Sequence, residues 1–215
     1  MSDFTNHTDN FWNKRYGDSD YVYGTDPNQF LQEQAALISP GMKALVVGDG
    51  EGRNGVWLAS KGLEVLSVDL SAMGLEKAKQ LAQQQQVELE TQCIDLTSWE
   101  WPIQTYDLVV SIYVHFDPAV RARMHQAMLR AIKPDGIVII EAFNVEQLQY
   151  QQKYNSGGPP KKEMLYTSAM LQTDFAASNI VHLQETVTLL KEGKYHEGQA
   201  SVVRLIARAP TTHQP

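Results

Sequence analysis

At 215 residues, with 43% apolar and 20% charged side chains, the chain has the make-up of a globular domain, not of a disordered or fibrous protein. Its net charge of -7 argues against a nucleic-acid surface, which needs a clustered basic face; Lys161-Lys162 is too small a patch to serve as one. No apolar run approaches the roughly 20 residues of a membrane span, and one cysteine, Cys93, rules out an internal disulfide.

The first ten residues are polar, with no basic segment leading into an apolar core, so a cytoplasmic protein is expected. An aromatic stretch follows, with Phe11, Trp12, Tyr16, Tyr21 and Tyr23 in no clear period; such side chains pack a segment onto a core or line a pocket. Asp26-Pro27 reads as an N-cap with proline at the first helical position, opening a helix that ends at Pro40-Gly41. The run ALVVGDGEGRNGVWLASKGLEVLSVDLS, from Ala44 to Ser71, then gives strand, glycine turn, helix and strand, ending beside Asp69. Ser71 caps a helix to about residue 85. Strand three spans about 87 to 93 and includes Cys93 as an expected buried residue. Strand four is YDLVVSI, Asp117-Pro118 opens the next helix, and the turn Lys133-Pro134-Asp135-Gly136 enters strand five, IVIIEAF.

Strands that are apolar throughout and separated by helices belong to a parallel sheet covered on both faces, so the expected fold is α/β and doubly wound. Beyond it, residues 144 to 163 read as a long irregular lid loop, a helix follows at roughly 167 to 177, and Val181 to Leu190 with Gln199 to Ala207 form an antiparallel hairpin. One domain over 1–215 is expected: an N-terminal lid and helix segment (1–40), a core (41–143), the lid loop (144–163), and a C-terminal helix and hairpin (164–209).

Gly50-Glu51-Gly52-Arg53-Asn54-Gly55 satisfies G-x-G-x-x-G, and an acid at the end of strand two, Asp69, suits ribose hydroxyls. By itself this motif points to a dinucleotide, and hence to a nicotinamide-dependent oxidoreductase. Three features turn it elsewhere. Asp95 stands just past strand three with Leu96 beside it, where an exocyclic amine and an adenine ring would be met. The KPDG turn enters strand five. The residues that a second nucleotide-binding half would need are instead a hairpin.

In this combination the chain resembles the class I S-adenosylmethionine-dependent methyltransferases from about Ala44 to Ala207. The phrases WNKRY and YVYGTDPN near the N-terminus and EGKYHEGQA at 192–200 resemble the small bacterial branch related to tellurite-resistance and thiopurine-type enzymes. The resemblance implies a seven-stranded, mostly parallel Rossmann-like methyltransferase sheet with S-adenosyl-L-methionine as cofactor. It places Gly48, Gly50 and Gly52 at the methionine part, Asp69 at the ribose, Asp95 and Leu96 at the adenine, and Arg53 and Asn54 near the carboxylate, with Leu70, Ser71 and Ser111 as further expected cofactor-binding residues. The family's usual acid two residues before the first glycine is Val46 here, so Asp49 or Glu51 is expected to stand in for it.

Methyl transfer needs a positioned nucleophile more than it needs acid-base groups. A thiolate or chalcogen oxyanion requires no base, whereas an oxygen or nitrogen nucleophile does. His115, directly after strand four, is the candidate base, against a structural histidine bonded to a loop carbonyl. Trp12, Tyr16, Tyr23, His115 and His196 are the candidate acceptor-binding residues. Glu141 faces the site or pairs at the sheet edge, and His7, His125, His182 and His213 are assigned to the surface. No metal site is read. The expected partner is a small-molecule acceptor, with neither nucleic acid nor membrane, in a monomer or weak homodimer; a non-enzymatic cofactor-binding protein is the further alternative.

Overall fold

The computed structural model describes residues 11–154 and 156–210. Two compact units are distinguished, one ending at Trp99 and including Glu192–Lys194, the other comprising Glu100–Lys191 and the residues from Tyr195 on.

The first unit opens with helix α1, residues 11–16, where sequence patterning shows no period because its aromatics face several partners at once. The helix expected from Asp26 is shorter and starts later. α2 is Gln29–Glu33, followed by a 3-10 turn at Ala35–Leu37, and its N-cap is Asn28, whose side chain accepts from Leu31 N. Tertiary bonds explain the displacement: Asn28 is fully buried, its N–H donates to Asn54 Oδ1 and its amide to Glu192. Next come β1 (Lys43–Val47), α3 (Arg53–Ser60), β2 (Glu64–Asp69), α4 (Ala72–Gln84) and β3 (Glu90–Cys93). β2 pairs in parallel with β1 and β3. β1 is buried from Ala44 to Val47 on both faces, as an interior parallel strand must be. Ser71 caps α4 by accepting from Gly74 N.

β3 is shorter than its alternating pattern implies, because Val87 and Leu89 pack against Val56, Leu81 and Ala82 ahead of the ladder. Cys93 is exposed, correcting its expected burial: β3 is an edge strand, and its residues lack a covering layer.

The second unit contains β4 (Tyr106–Ile112), α5 (Pro118–Ala131), β5 (Ile132–Phe143), α6 (Gln147–Lys153), α7 (Ser168–Asp174), β6 (Asn179–Lys191) and β7 (Glu197–Arg208). β4 and β5 are parallel, whereas β7 runs antiparallel to both β5 and β6. Asp117 caps α5 with Pro118 in its first turn. The KPDG segment is absorbed into β5 as an irregularity between the Tyr106 and Leu108 pairings, with Asp135 at φ 63°. Residues 144 to 163 are less irregular than expected, since they hold α6 and the start of a 3-10 turn at Lys162–Met164. The strands form a seven-stranded sheet in the order β3-β2-β1-β4-β5-β7-β6, an α/β fold with a C-terminal antiparallel hairpin.

His125 is not a surface residue. It is 1% exposed, one helical turn past Arg121 on α5, and both meet the Asp174 carboxylate, with His125 Nδ1 and Arg121 Nε each 2.8 Å from Oδ2. His182 is half-buried on β6. His7 and His213 lie outside the described residues. Among the described residues no helix is long and apolar enough to cross a membrane.

Candidate functional site

In the first unit the chain turns from β1 into α3 through three glycines with positive φ. Gly52 is the left-handed N-cap of α3, and a Cβ there would stand 2.5 Å from Ala78 Cβ and 2.7 Å from its Cα. A side chain would therefore push α3 off α4. At Gly50 a Cβ would meet the Tyr16 hydroxyl at 2.5 Å, so an aromatic residue of α1 covers the turn.

Asp69, the last residue of β2, faces this turn. Its Oδ2 accepts from Gly50 N and its Oδ1 from Ser71 N, both at 2.8 Å, and burial raises its pKa against those hydrogen bonds. Each oxygen accepts from one of these N–H groups, and a carboxylate oxygen has capacity for a further donor. Ser71 is buried and Leu70 half-buried beside it. After β3, Asp95 forms a local turn, its Oδ1 accepting from Thr97 N at 2.8 Å and Thr97 Oγ1 at 2.7 Å; Asp95 and Leu96 are both half-buried.

Val46 is 1% exposed in β1, paired with Ser67 on β2, so that position belongs to the core. A carboxylate arrives nearby from the turn instead. Asp49 Oδ2 accepts from Ser67 Oγ at 2.5 Å and from Gly55 N at 3.2 Å. A Cβ on Gly55 would collide with both side chains, which accounts for the third glycine of the motif. Burial pushes the Asp49 carboxyl up to about 7, although Ser67 and Gly55 hold it down. Because its folded pKa lies above the unfolded value, Asp49 contributes stability that is full below about pH 4 and lost as the pH rises through about 7. Asp49→Asn is therefore expected to flatten the decline in stability from pH 5 to pH 8, as followed by urea denaturation at a series of pH values. An unchanged slope would show that Asp49 is ionised throughout.

Glu51, Arg53 and Asn54 make a different set of contacts. Glu51 is 4% exposed; its Oε1 accepts from Lys77 Nζ at 2.6 Å, and its Oε2 from Val22 N at 2.8 Å and Tyr23 N at 3.3 Å. Lys77 also donates to Asp20 O at 2.6 Å. Arg53 pairs with Glu192 at 2.8 Å, and Asn54 Oδ1 accepts from Asn28 N at 2.9 Å. These residues fasten segment 20–28 and Glu192 onto the turn. Trp12, Tyr16 and Tyr23 come together in the same unit: Trp12 stacks on Tyr16 at 5.5 Å and Tyr16 meets Tyr23 edge-on at 6.3 Å.

The second unit has its own cluster at the carboxyl ends of β4 and β5. His115 is held at both ring nitrogens, Nδ1 lying 2.8 Å from Met164 O and Nε2 accepting from Phe143 N at 3.2 Å. This is the neutral tautomer with its proton on Nδ1, and burial lowers the pKa to about 4. His196, 6% exposed, meets Tyr113 and Phe143 edge-on at 4.6 and 5.3 Å, and His115 lies parallel to Phe143 at 5.9 Å. His115 and His196 are thus joined through one phenyl ring. Ser111 is buried near the end of β4. Glu141 lies inside the sheet, not at its edge, bonded by Tyr113 and Arg204. Tyr113, directly after β4, adopts a φ of 56° that its bulky side chain does not signal in the sequence.

Residues 44–136 match a methyltransferase domain. A probable thiol methyltransferase 2 of Arabidopsis thaliana is 28% identical over 150 residues, which are 66% of this chain and 62% of that protein; the chain thus spans less than two thirds of that relative. Among solved structures, a protein concerned with converting a disulfide bond into a thioacetal group during echinomycin biosynthesis superposes with a TM-score of 0.75 at 17% identity, covering 98% of this chain and 94% of that one. Magnesium protoporphyrin IX methyltransferase from Synechocystis, solved with bound SAH, superposes with a TM-score of 0.69 at 18% identity, covering 96% and 100%. At these identities the superpositions show a shared fold.

Proposed function

We infer, from the premise that this chain belongs to the class I S-adenosylmethionine-dependent methyltransferases, that it transfers a methyl group to a small acceptor bearing a soft sulfur or related chalcogen nucleophile. The observation that carries this reading is the glycine turn with the Asp69 carboxylate directed at it. The antiparallel β5-β7-β6 arrangement takes the place of the second half that a dinucleotide fold needs, which disfavours a nicotinamide enzyme.

The residues of the turn fit the cofactor. Asp69 has acceptor capacity for ribose hydroxyls, with Leu70 and Ser71 next to it; Gly48, Gly50 and Gly52 let the backbone approach the methionine part; Asp95 and Leu96 suit the adenine, and Ser111 is kept as a candidate cofactor residue. Glu51, Arg53 and Asn54 fit less well, because they hold the covering segment, and Asp49 turns toward Ser67. When bound, the cofactor supplies an electrophilic methyl group on a sulfonium. The protein's part is to orient the acceptor and exclude water, to which Trp12, Tyr16 and Tyr23 contribute in the first unit and His196 in the second.

His115 we assign to positioning. Its Nε2 lone pair is taken by the Phe143 N–H, so accepting a substrate proton would break a backbone hydrogen bond. That suits an acceptor already ionised at neutral pH, as a thiolate can be. His115→Asn keeps a donor and an acceptor, and its turnover is expected to stay within about tenfold of the parent, whereas loss of a general base typically costs 10²- to 10⁴-fold.

Methyl transfer from S-adenosylmethionine to thiophenol and to hydrosulfide tests the function, alongside isothermal titration with the cofactor. Well-folded protein that binds no cofactor would overturn it. We further read the chain as one functional domain, since the family match, residues 44–136, begins in one compact unit and continues into the other. A cytoplasmic setting and a monomer or weak homodimer complete the reading.

A further inference from the structure

β6 ends the sheet on one side: it pairs with β7, and among the described residues no strand lies beyond it. Alternate residues of such an edge turn their N–H and C=O groups outward, where another strand can meet them. Monomeric proteins blunt an edge by keeping it short or by placing charge or proline on it. β3, at the opposite edge, has four residues, Glu-Thr-Gln-Cys, and no large apolar side chain. β6 runs for thirteen residues without a proline, and along it Val181, Val187 and Leu189 are 58%, 48% and 55% exposed. Its one irregularity lies near its start, between Ile180 and His182.

From Glu185 to Lys191 the strand alternates cleanly: Glu185, Val187, Leu189 and Lys191 are exposed, Thr186 and Thr188 are half-buried, and Leu190 is buried. The exposed four read acid, apolar, apolar, base. A two-fold axis through Thr188, perpendicular to the sheet, lays a second copy antiparallel so that Val187 faces the partner's Leu189 and Glu185 faces the partner's Lys191. Symmetry makes each contact twice. The four apolar side chains then form one patch with an ion pair at either end, and cross-strand matches of this kind are what stabilise a sheet. Glu185 Oε1 accepts from Ser168 N at 2.6 Å, and a carboxylate has a second oxygen for a cation. Other registers match less well. An axis through Glu185 overlaps more of the strand, but it sets two carboxylates opposite each other and runs into the irregularity after Ile180. Axes through Thr186 or Val187 set Glu185 against an apolar side chain.

We propose that the outer edge of β6 is a homodimer interface, on which a second copy of this chain continues the sheet antiparallel through Glu185–Lys191, in register about Thr188. The proposal goes beyond the catalytic reading and does not depend on it. Seven residues a side is well below the roughly 20–30 of a standard interface, so the dimer is a weak one, with a Kd on the order of 10 µM. Its selectivity for a second copy comes from the self-complementary order of the four exposed side chains, which only an antiparallel copy of the same strand matches at every position.

Sedimentation velocity on the full-length protein, from about 1 to about 200 µM, tests this directly, and the parent is expected to pass from monomer to dimer across that range. Leu189→Lys is expected to stay monomeric throughout while keeping a cooperative melting transition. Lys191→Glu sets like charges opposite each other and should weaken the dimer by about tenfold or more. Adding Glu185→Lys to it reverses both charges and should bring the Kd back to within about threefold of the parent. A parent that remains monomeric at the highest concentration, or a dimer that Leu189→Lys leaves intact, overturns the interface. A double charge reversal that recovers nothing overturns the register, and the proposal with it. Should the variants fail to fold, hydrogen exchange on the parent decides: backbone amides of residues 185–191 that exchange more slowly as the dimer forms support the proposal, and exchange there that is indifferent to dimer formation overturns it.

Discussion

Asp69→Ala is expected to weaken S-adenosylmethionine binding by an order of magnitude or more, as measured by isothermal titration. The carboxylate ends β2 and holds both sides of the turn, through Gly50 N and Ser71 N at 2.8 Å each. Alanine removes the acceptor for the ribose hydroxyls and leaves those two N–H groups unpaired at a buried site. Hydrogen bonds to a charged group are worth about 1.5–3 kcal/mol, which corresponds to roughly tenfold to more than a hundredfold in affinity. Asp69→Asn keeps the shape and one oxygen, and should fall in between. Affinity within twofold of the parent for the alanine variant would remove Asp69 from the cofactor site.

Glu51→Ala is expected to be the most destabilising single change in the turn. Glu51 and Lys77 are almost wholly buried, with side-chain exposures of 3% and 11%, and their contact is 2.6 Å. Removing the acid leaves the ammonium with the Asp20 carbonyl and the Tyr21 ring but no counter-charge among the described residues in contact with it, and deprives Val22 N and Tyr23 N of their acceptor. Breaking one partner of a buried pair costs about 3–5 kcal/mol. Urea denaturation should show that loss, and Glu51→Ala combined with Lys77→Met should recover part of it, because no buried charge is then uncompensated. A loss below about 1 kcal/mol would mean that the pair behaves as a surface ion pair.

Much of the fold was legible from residue order. β1, β2, β4 and β5 announce themselves as apolar runs, the Ser71 and Asp117 caps lie where local chemistry puts them, and the hairpin follows from two β-rich runs around Gly193 and Gly198. The same local logic failed at Asn28, where bonds to Asn54 and Glu192 outweighed the Asp26-Pro27 signal. It failed at Cys93, where alternation predicts a facing side but not whether a layer covers it. His125 was misplaced because its acid, Asp174, is 49 residues away.

The glycine turn shows the division most clearly. Its glycines, Asp69 and the match that begins at residue 44 could be read along the chain, since left-handed φ and the strand-end acid depend on near neighbours. What the polar residues between those glycines do could not be. Glu51 and Arg53 look like ligands in a motif, yet their partners come from positions 26 and 139 residues away, and only the closed chain brings them there. His115 is the same case in the second unit: the sequence offers a titratable ring at the right strand end, and the fold spends both its nitrogens on Met164 and Phe143. Backbone conformation and burial pattern are set by short-range sterics and periodicity, whereas the use of a buried charge or lone pair is decided by whichever distant partner desolvation brings within reach.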